Sequence, residues 1–338
     1  MSLKKVTISV VAEKAGVSKS TVSRVISDSP EISQKTKEKV FAIMEELNYH
    51  PSAIARSLVS NKSMNIGLVL PADENFFINP FFQQSLRSIS KKAAEKGFDI
   101  LIVYSNNEIE SIKRVVNAKK VDGLILMRSQ EKDKTIEYLR KKNINYVLIG
   151  KSLEYKDIYS VDNDNIQASY DVTEKLIKCG CKKIGFIAGD NSSVVTIDRF
   201  EGYKKAIQDN FLCMNDDLIQ ETRFSEKDGM EAMKYILDHH PDLDGVVIID
   251  DLMFRGALEY INSKTDIGDD INKKIYIAIF GSSKDYLNYK HRDNIKVVSV
   301  DVNAIKIGEA SCEKLINLLE GEKVEFRHLI DYKVDVTC

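Results

Sequence analysis

The residues best suited to chemistry near the start of the chain lie on one face of a short helix predicted after Gly16. Apolar residues at helical spacing predict a first helix up to Ala15, and Gly16 can adopt the positive φ that a tight turn between helices requires. Ser18 is placed to cap the second helix by accepting from a free backbone N–H. The polar face of that helix carries short hydroxyl and basic side chains, namely Lys19, Ser20, Thr21, Ser23 and Arg24.

Such a face suits the major groove of DNA. Short hydroxyl side chains let a helix approach phosphates, and Lys and Arg reach acceptors on base edges, guanine above all. A plain helical hairpin with a solvated polar face would show the same pattern. Ser9–Arg24 taken alone therefore leaves both interpretations open.

The next residues predict the elements that would position this helix. Ile32–Asn48 predicts a third helix, capped by Ser33, with an apolar stripe that closes a small core. Pro51–Val59 predicts a short further helix, because Pro is tolerated in a first helical turn. A helix of that length is marginal in water, so we expect it to fold when it binds DNA.

Charge is unevenly distributed along the 338 residues. Residues 1–62 carry ten Lys and Arg against six Asp and Glu, a net charge of +4, whereas the whole chain carries −2. A local positive excess is what the neutralisation of DNA phosphates requires.

The stretches AEKAGVSKSTVSRVISDSP and ISQKTKEKVFAIMEELNYHPSAIARSLVS resemble the LacI/GalR family of repressors. The resemblance implies a helix-turn-helix head at residues 1–49 and a hinge helix with its linker at residues 50–63. It implies base-reading positions at Lys19, Ser20 and Arg24. The phosphate-contacting positions that it implies are Ser18, Thr21, Ser23, Ser33 and Thr36.

The hinge helix contributes two further DNA contacts under this resemblance, Ala55 and Leu58. Leu58 stands where the family inserts a leucine wedge into the minor groove, which would unstack a base step and bend the DNA. Packing of Leu58 against the hinge helix of a partner chain is an alternative role, and both roles are compatible.

From Met64 onward, strand-like and helix-like segments alternate, which predicts parallel sheets covered by helices. The strand-like runs are Ile66–Leu70, Ile100–Val103, Gly123–Met127, Tyr146–Ile149, Ile184–Ala188, Val246–Ile249 and Ile275–Phe280. Their number favours two similar halves, with the second sheet beginning near Val161–Asp164. This part also resembles the same family, whose sensor domain is similar to a periplasmic sugar-binding protein.

The expected architecture is therefore an all-α helix-turn-helix head and hinge helix, joined to a two-lobed α/β domain with parallel sheets. The α/β domain, residues 64–338, would bind the effector and dimerise. The resemblance implies crossings between the lobes near Asp162, Asp293 and Lys323. The N-lobe would then take about 64–161 and 293–323, and the C-lobe about 162–292 and 324–338.

Ligands of such folds bind at the carboxyl ends of the strands, in the cleft between the lobes. Asn79 lies in the aromatic segment PADENFFINPFF, which suits a sugar ring but could also be an apolar loop that closes the lobes. Arg199 has the R-x-x-G spacing of the family and could fork onto ligand hydroxyls or a carboxylate. Asp162 could alternatively cap the next helix, and for Asp164 we favour capping. The candidate effector-binding residues are Asn79, Phe81, Lys151, Asp162, Arg199, Asp250, Ser283 and Asp301.

Departures from the family pattern concern the effector. Ser282 and Ser283 follow Gly281 where the family has an aromatic residue and an aspartate, and Asp301 could supply the missing carboxylate. Within the family, NPFF, VLIGK, VDNDN, VVTIDR and SVDVN most resemble maltose- and α-glucoside-operon regulators of Gram-positive bacteria. This resemblance implies a sugar effector such as maltose. One alternative is a degenerate cleft that docks another protein, and another is a sugar-binding protein that does not bind DNA.

Other classes of protein find little support in the sequence. His239 and His240 lack further ligands at metal-site spacing, and the five cysteines form neither a zinc nor a disulfide framework. With no nucleophile–base constellation and no phosphate-binding loop, we expect neither an enzyme nor a cofactor. Without a signal peptide or a membrane-length apolar run, we expect a cytoplasmic protein. The expected partners are double-stranded operator DNA, a small effector and a second copy of the chain in a homodimer.

Overall fold

The structure is a computed structural model that describes residues 6–50, 62–70, 74–104, 107–266, 274–281 and 295–337. The chain divides into two compact units. The first comprises Met1–Asn65 with Val115–Asp122, and the second comprises Ile66–Arg114 with Gly123–Cys338. The predicted hinge helix Pro51–Val59, with Ala55 and Leu58, lies outside the described residues.

Three short helices form the start of the first unit. They are α1 (Ile8–Ala15), α2 (Lys19–Ile26) and α3 (Gln34–Glu46). Gly16 ends α1 with a φ of 65°, and the amide of Val17 returns to the carbonyl of Ala12. The side chain that begins α2 is Ser18, as predicted. These features confirm the predicted helix-turn-helix.

The core of this small head is built from the apolar faces of its helices. Val11 and Ala15 of α1 are fully buried with Val22 and Val25 of α2, and Val40 of α3 closes the cluster. The helix α3 is shorter than the predicted Ile32–Asn48 at both ends, because Ser33 caps its start and Asn48 turns the chain with a φ of 48°.

The second unit contains two six-stranded sheets, each flanked by helices. The N-lobe has the strand order β11-β5-β4-β3-β1-β2. Its strands are β1 (Asn65–Val69), β2 (Asp99–Val103), β3 (Gly123–Leu126), β4 (Tyr146–Ile149), β5 (Ser160–Asp162) and β11 (Arg327–Leu329). Its helices are α4 (Pro80–Glu95), α5 (Glu108–Asn117), α6 (Lys134–Lys141) and α11 (Ala304–Glu320), with a 3-10 turn at Glu74–Ile78. Buried aliphatic strand residues such as Ile66, Ile125 and Val147 form its core.

The C-lobe sheet has the order β12-β10-β9-β8-β6-β7. Its strands are β6 (Ile184–Ala188), β7 (Ile219–Glu221), β8 (Gly245–Ile248), β9 (Ile275–Phe280), β10 (Ile295–Asp301) and β12 (Lys333–Thr337). Its helices are α7 (Asn165–Lys178), α8 (Val194–Asp209), α9 (Glu226–His239) and α10 (Asp251–Asp266), with a 3-10 turn at Asp216–Leu218. The neighbours β7–β6, β6–β8, β8–β9 and β9–β10 are parallel, and β10–β12 is antiparallel, so the predicted α/β architecture with parallel sheets is confirmed.

Two of the three predicted crossings between the lobes lie elsewhere. The chain leaves the first sheet after β5, which ends at Asp162 as predicted. The predicted crossing near Asp293 is wrong, because β10 still belongs to the second sheet and pairs Val297 with Ile277 of β9. The predicted crossing near Lys323 is also wrong, because β11 returns to the first sheet beside β5. Crossings therefore fall after Asp301 and after Leu329, since strand pairing rather than strand pattern decides sheet membership.

None of the helices in the described ranges has both the length and the apolar character needed to cross a membrane.

Candidate DNA-binding helix and effector cleft

The start of α2 forms a cluster of hydroxyl groups. Ser18 Oγ accepts from the Thr21 amide at 3.0 Å and lies 2.7 Å from the hydroxyl of Ser20 and 2.8 Å from that of Thr21. This arrangement combines free backbone N–H groups with hydroxyls at the positive end of a helix, which suits a phosphate oxygen.

A second hydroxyl pair repeats the arrangement at the start of α3. Ser33 Oγ accepts from the Thr36 amide at 3.3 Å, and the two hydroxyls lie 2.9 Å apart. Ser33 is exposed and Thr36 half-buried. Both residues thus have the geometry that their predicted phosphate contacts need.

The long side chains of α2 are free to reach outward. Lys19, Ser20 and Arg24 are exposed, and Ser23 is half-buried. Arg24 forms an ion pair with Glu31 at 3.4 Å, and both side chains are largely in water. An exposed pair of this kind is worth little, so Arg24 can exchange it for a base edge. The sequence analysis missed Glu31, whose proximity depends on the turn between α2 and α3.

A cleft of about 750 Å³ lies between the lobes of the second unit. Seven of the eight candidate effector residues line it, and Ser283 lies outside the described residues. The seven are Asn79, Phe81, Lys151, Asp162, Arg199, Asp250 and Asp301. Most of them directly follow a strand or lie at the start of a helix, and Arg199 lies in the second turn of α8. The carboxyl ends of strands from both sheets therefore face the cleft, as the fold requires.

Asn79 and Asp250 meet across the cleft. Asn79 begins α4, where its Oδ1 accepts from the Phe81 amide, and its Nδ2 donates to Asp250 Oδ2 at 2.6 Å. The other oxygen of Asp250 accepts from the Leu252 amide at 2.8 Å. Burial raises the pKa of Asp250, opposed by these hydrogen bonds. Each of the two side chains therefore caps a helix of its own lobe and also contacts the other lobe through the Asn79–Asp250 hydrogen bond.

Arg199 is anchored by contacts within the protein. Its Nε donates to Asn165 at 3.0 Å, its Nη1 donates to the Ile249 carbonyl at 2.6 Å, and its guanidinium stacks over Phe280 at 3.8 Å. Burial lowers its pKa to about 10, so the group stays charged at neutral pH. This fixed orientation would present the remaining guanidinium edge to the cleft.

Asp162 lies at the floor of the cleft, where β5 ends. Its Oδ1 accepts from the Asn163 amide at 2.8 Å and from Asn165 Nδ2 at 2.9 Å. Burial raises its pKa to about 7, and the nearby charge of Asp198 adds to the shift. The neighbouring Asp164 caps α7 through the Gln167 amide, which confirms the capping role favoured for it.

Asp198 is a cleft residue that the sequence analysis did not select. It lies in the first turns of α8, is 5% exposed, and pairs with Lys151 of the other lobe at 2.8 Å. Its position directly before Arg199 was the available signal, but a lone acid on a helix is ordinarily solvated. Asp301, the suggested replacement carboxylate, also lines the cleft and accepts from the Asn303 amide at 2.8 Å.

The described residues contain no group of three or more His, Cys, Asp or Glu side chains that could hold a metal ion. His239 instead stacks on Tyr235 with ring centroids 4.2 Å apart, and its ring bonds with the Tyr235 carbonyl at 2.8 Å.

The head and the cleft together define a class: a helix-turn-helix regulator with a two-lobed ligand-binding domain. Residues 7–52 match the model of the bacterial regulatory proteins of the lacI family. Residues 63–332 match the model of the periplasmic binding proteins and sugar binding domain of the LacI family. The chain belongs to the LacI family, and it is a DNA-binding transcriptional regulator under ligand control.

Known proteins are similar to it along nearly their whole length. The HTH-type transcriptional regulator MalR of Streptococcus pneumoniae is 37% identical over 97% of this chain and 98% of its own. The regulator CelR, solved in complex with cellobiose, is 26% identical, with a TM-score of 0.73 and 98% of each chain covered. The lac repressor dimer bound to operator and the anti-inducer ONPF is 24% identical, with a TM-score of 0.80 and 98% of each chain covered, and it shares the fold.

Proposed function

We propose that this protein is a cytoplasmic, non-enzymatic repressor that binds a palindromic operator as a homodimer and responds to a neutral sugar, with maltose the first candidate. Ser18, Lys19, Ser20, Thr21, Ser23, Arg24, Ser33 and Thr36 would contact DNA, joined by Ala55 and Leu58 of the hinge helix. The domain boundaries that go with this function are a head at residues 1–49, a hinge at 50–63 and an effector domain from 64 onward.

The observation that carries the effector half of this proposal is that seven effector-binding residues predicted from the sequence line one cleft. Its volume of about 750 Å³ falls within the roughly 300–1,000 Å³ of small-molecule sites and exceeds that of one sugar ring. The half-buried Phe81, Phe82 and Phe224 offer apolar surface, and the carboxylates offer acceptors for hydroxyls. This mixture suits a sugar, which has apolar C–H faces and polar edges.

Two relatives support a disaccharide in particular. A regulator named MalR is 37% identical, and the solved CelR structure holds cellobiose. Among the described residues that line the cleft, eight carboxylates stand against five basic side chains, and this acidic excess disfavours a phosphorylated sugar because an added anion would be repelled.

Operator selection from random DNA, with and without maltose, tests the whole proposal. We expect an inverted repeat whose half-sites match the two-fold symmetry of a dimer, and a change in enrichment when maltose is present. Glucose and cellobiose serve as matched sugars. Enrichment of an operator with no response to any sugar would contradict the effector and favour a protein that docks on the cleft. Absence of any enriched sequence would contradict the repressor itself.

A further inference from the structure

The two lobes touch through a small set of polar contacts that the proposed function does not explain. Among the described residues, three such contacts stand out: the bond between Asn79 and Asp250, the ion pair between Lys151 and Asp198, and a backbone pairing at the edge of the cleft. One apolar contact accompanies them, because Phe81 packs against the hydrophobic cores of both lobes.

The backbone pairing joins the loop after β3 to the loop before α8. The Glu131 amide donates to the Ser192 carbonyl at 2.8 Å, and the Val194 amide donates to the Ser129 carbonyl at 3.3 Å. Gln130 and Ser193 form the antiparallel bridge between these bonds. Since each bond joins one lobe to the other, opening of the cleft must break both.

The Lys151–Asp198 pair differs from the other two contacts in the hydrogen bonds that remain to its groups after the contact is broken. Asn79 and Asp250 each keep a bond to a helix start, and backbone groups at the edge of the cleft can turn to water. Asp198 makes no hydrogen bond in the described part of the chain other than the one to Lys151. Its side chain is 6% exposed and that of Lys151 is 22% exposed.

The surroundings of Asp198 make it depend on Lys151. Burial raises the pKa of its carboxyl, and Lys151 is the largest opposing influence. Asp162 is a like-charged neighbour, whereas Arg199 and Arg327 favour the charged form of Asp198. A buried carboxylate that loses its paired cation is strongly disfavoured unless water reaches it. Separation of the pair is therefore tied to entry of water into the cleft.

We propose that Lys151 and Asp198 form a charge clasp that holds the lobes together in the effector-free protein. Asp198 is then a positioning residue: it fixes the lobe closure against which an effector binds. The inference deepens the proposed function and rests on it for the identity of the effector. The clasp itself is a property of the effector-free chain.

Hydrogen exchange, read by mass spectrometry on the full-length protein without effector, tests the clasp. The reporters are the amides of Glu131 and Val194, whose bonds exist only when the lobes are closed. Asp198→Asn keeps the shape of the side chain and removes its charge, and we expect at least about tenfold faster exchange at both reporters. Lys151→Met should have a similar effect, because it leaves Asp198 unpaired.

The double variant Lys151→Met with Asp198→Asn separates a pair from two independent residues. If the two side chains act as one clasp, the double variant exchanges no faster than the quicker single variant. Additive acceleration would overturn the proposal. Glu201→Gln is the matched control, since it removes a charge from an exposed ion pair with Lys204 on the same helix, and we expect no change.

Two amides whose hydrogen bonds stay within one sheet control for simple unfolding. The Leu148 amide is bonded within the N-lobe and the Ile249 amide within the C-lobe. They should exchange at the wild-type rate in Asp198→Asn. Equally faster exchange at these amides would mean that Asp198 stabilises a lobe as a whole, and it would overturn the clasp. Unchanged exchange at Glu131 and Val194 would also overturn it. Addition of maltose is a separate measurement. If maltose leaves the exchange rates unchanged, the proposed effector is contradicted, whereas the clasp is not.

Discussion

At the scale of single residues, two opposing effects determine the pKa of a carboxyl group in the cleft. Burial raises the pKa, and hydrogen bonds to the charged form lower it. Asp162 accepts two hydrogen bonds that favour its charged form, yet burial still raises its pKa to about 7. The folded protein therefore binds a proton at Asp162 more tightly than the unfolded chain, whose reference value is 3.8. The stability that this proton contributes is present below pH 4 and is lost as the pH rises through about 7.

Asp162→Asn should remove this pH dependence. Asn keeps the acceptor for the Asn163 amide and carries no charge, so we expect the variant to gain about 1–3 kcal/mol over the wild type at pH 8 and a clearly smaller gain at pH 5. Thermal unfolding at both pH values measures it. Asp164→Asn is the control, because an exposed Asn caps a helix as well as Asp does. An equal gain at pH 5 and pH 8 would show that charge at Asp162 is not the cause.

Arg24 is the residue on which sequence specificity should depend most. Arg24→Ala should cost about 1–3 kcal/mol of binding free energy on the selected operator and relax the base preference at one position in each half-site. Binding titrations on the operator and on its single-base variants measure both effects. Glu31→Ala is the matched control, since it removes the ionic neighbour and leaves Arg24 in place. A uniform loss on all sequences would mean that Arg24 contacts phosphate.

At the scale of elements, the helices that carry cleft residues are held by very close contacts. Gly202 lies on α8, three residues after Arg199, where α8 crosses α7. A Cβ at Gly202 would lie 2.1 Å from the Ile166 carbonyl oxygen and 2.8 Å from Ser169 Cβ. The two residues of the R-x-x-G spacing therefore have different roles. The arginine reaches the cleft, and the glycine allows α8 to pack in close contact with α7.

Gly202→Ala should therefore push α8 away from α7. The colliding atoms include backbone, which cannot rotate away, so we expect a loss of about 3 kcal/mol in the free energy of unfolding and a weaker effector response. Chemical denaturation measures the first effect and sugar titration the second. Glu201→Ala, at the exposed neighbouring position on α8, should stay near the wild type. Wild-type stability in Gly202→Ala would contradict the close approach.

At the scale of the whole molecule, regulation requires that the effector distinguish two arrangements of the lobes. A ligand shifts such an equilibrium only by its difference in affinity for the two arrangements. The cross-lobe contacts of Asn79, Lys151 and Phe81 join the two lobes of the effector domain in a closed arrangement. An effector that fits this closed cleft would strengthen closure, whereas a larger one would oppose it.

Binding of maltose to the folded effector domain should raise its melting temperature with sugar concentration. At one hundred times the dissociation constant the expected stabilisation is about 2.7 kcal/mol. Differential scanning calorimetry measures the shift, with glucose as the matched smaller sugar. Asp250→Asn keeps the oxygen that accepts from Leu252 but alters the groups presented to hydroxyls, so it should reduce the shift. A concentration-independent melting temperature would exclude maltose.

Local patterns in the sequence were sufficient for much of the fold. The strands Tyr146–Ile149, Ile184–Ala188 and Ile275–Phe280 have their predicted bounds, because buried parallel strands are short apolar runs. Apolar spacing in the sequence predicts helices over Phe82–Lys96 and Gly229–His239, and in the structure these helices begin earlier, after Asn79 and Ser225. The capping side chain therefore marks the start of a helix better than apolar periodicity does.

What the sequence by itself determined was the helix-turn-helix at Gly16, the alternation of strands and helices, and the candidates that follow the strands. These depend on contacts between residues close in the chain. Only the tertiary structure decided which sheet takes β10 and β11, and that Asp198 meets Lys151 across the cleft. Strand pairing and ion pairing join residues far apart in sequence. Their free energy depends on which partners the whole fold brings together and on how much water it excludes around them.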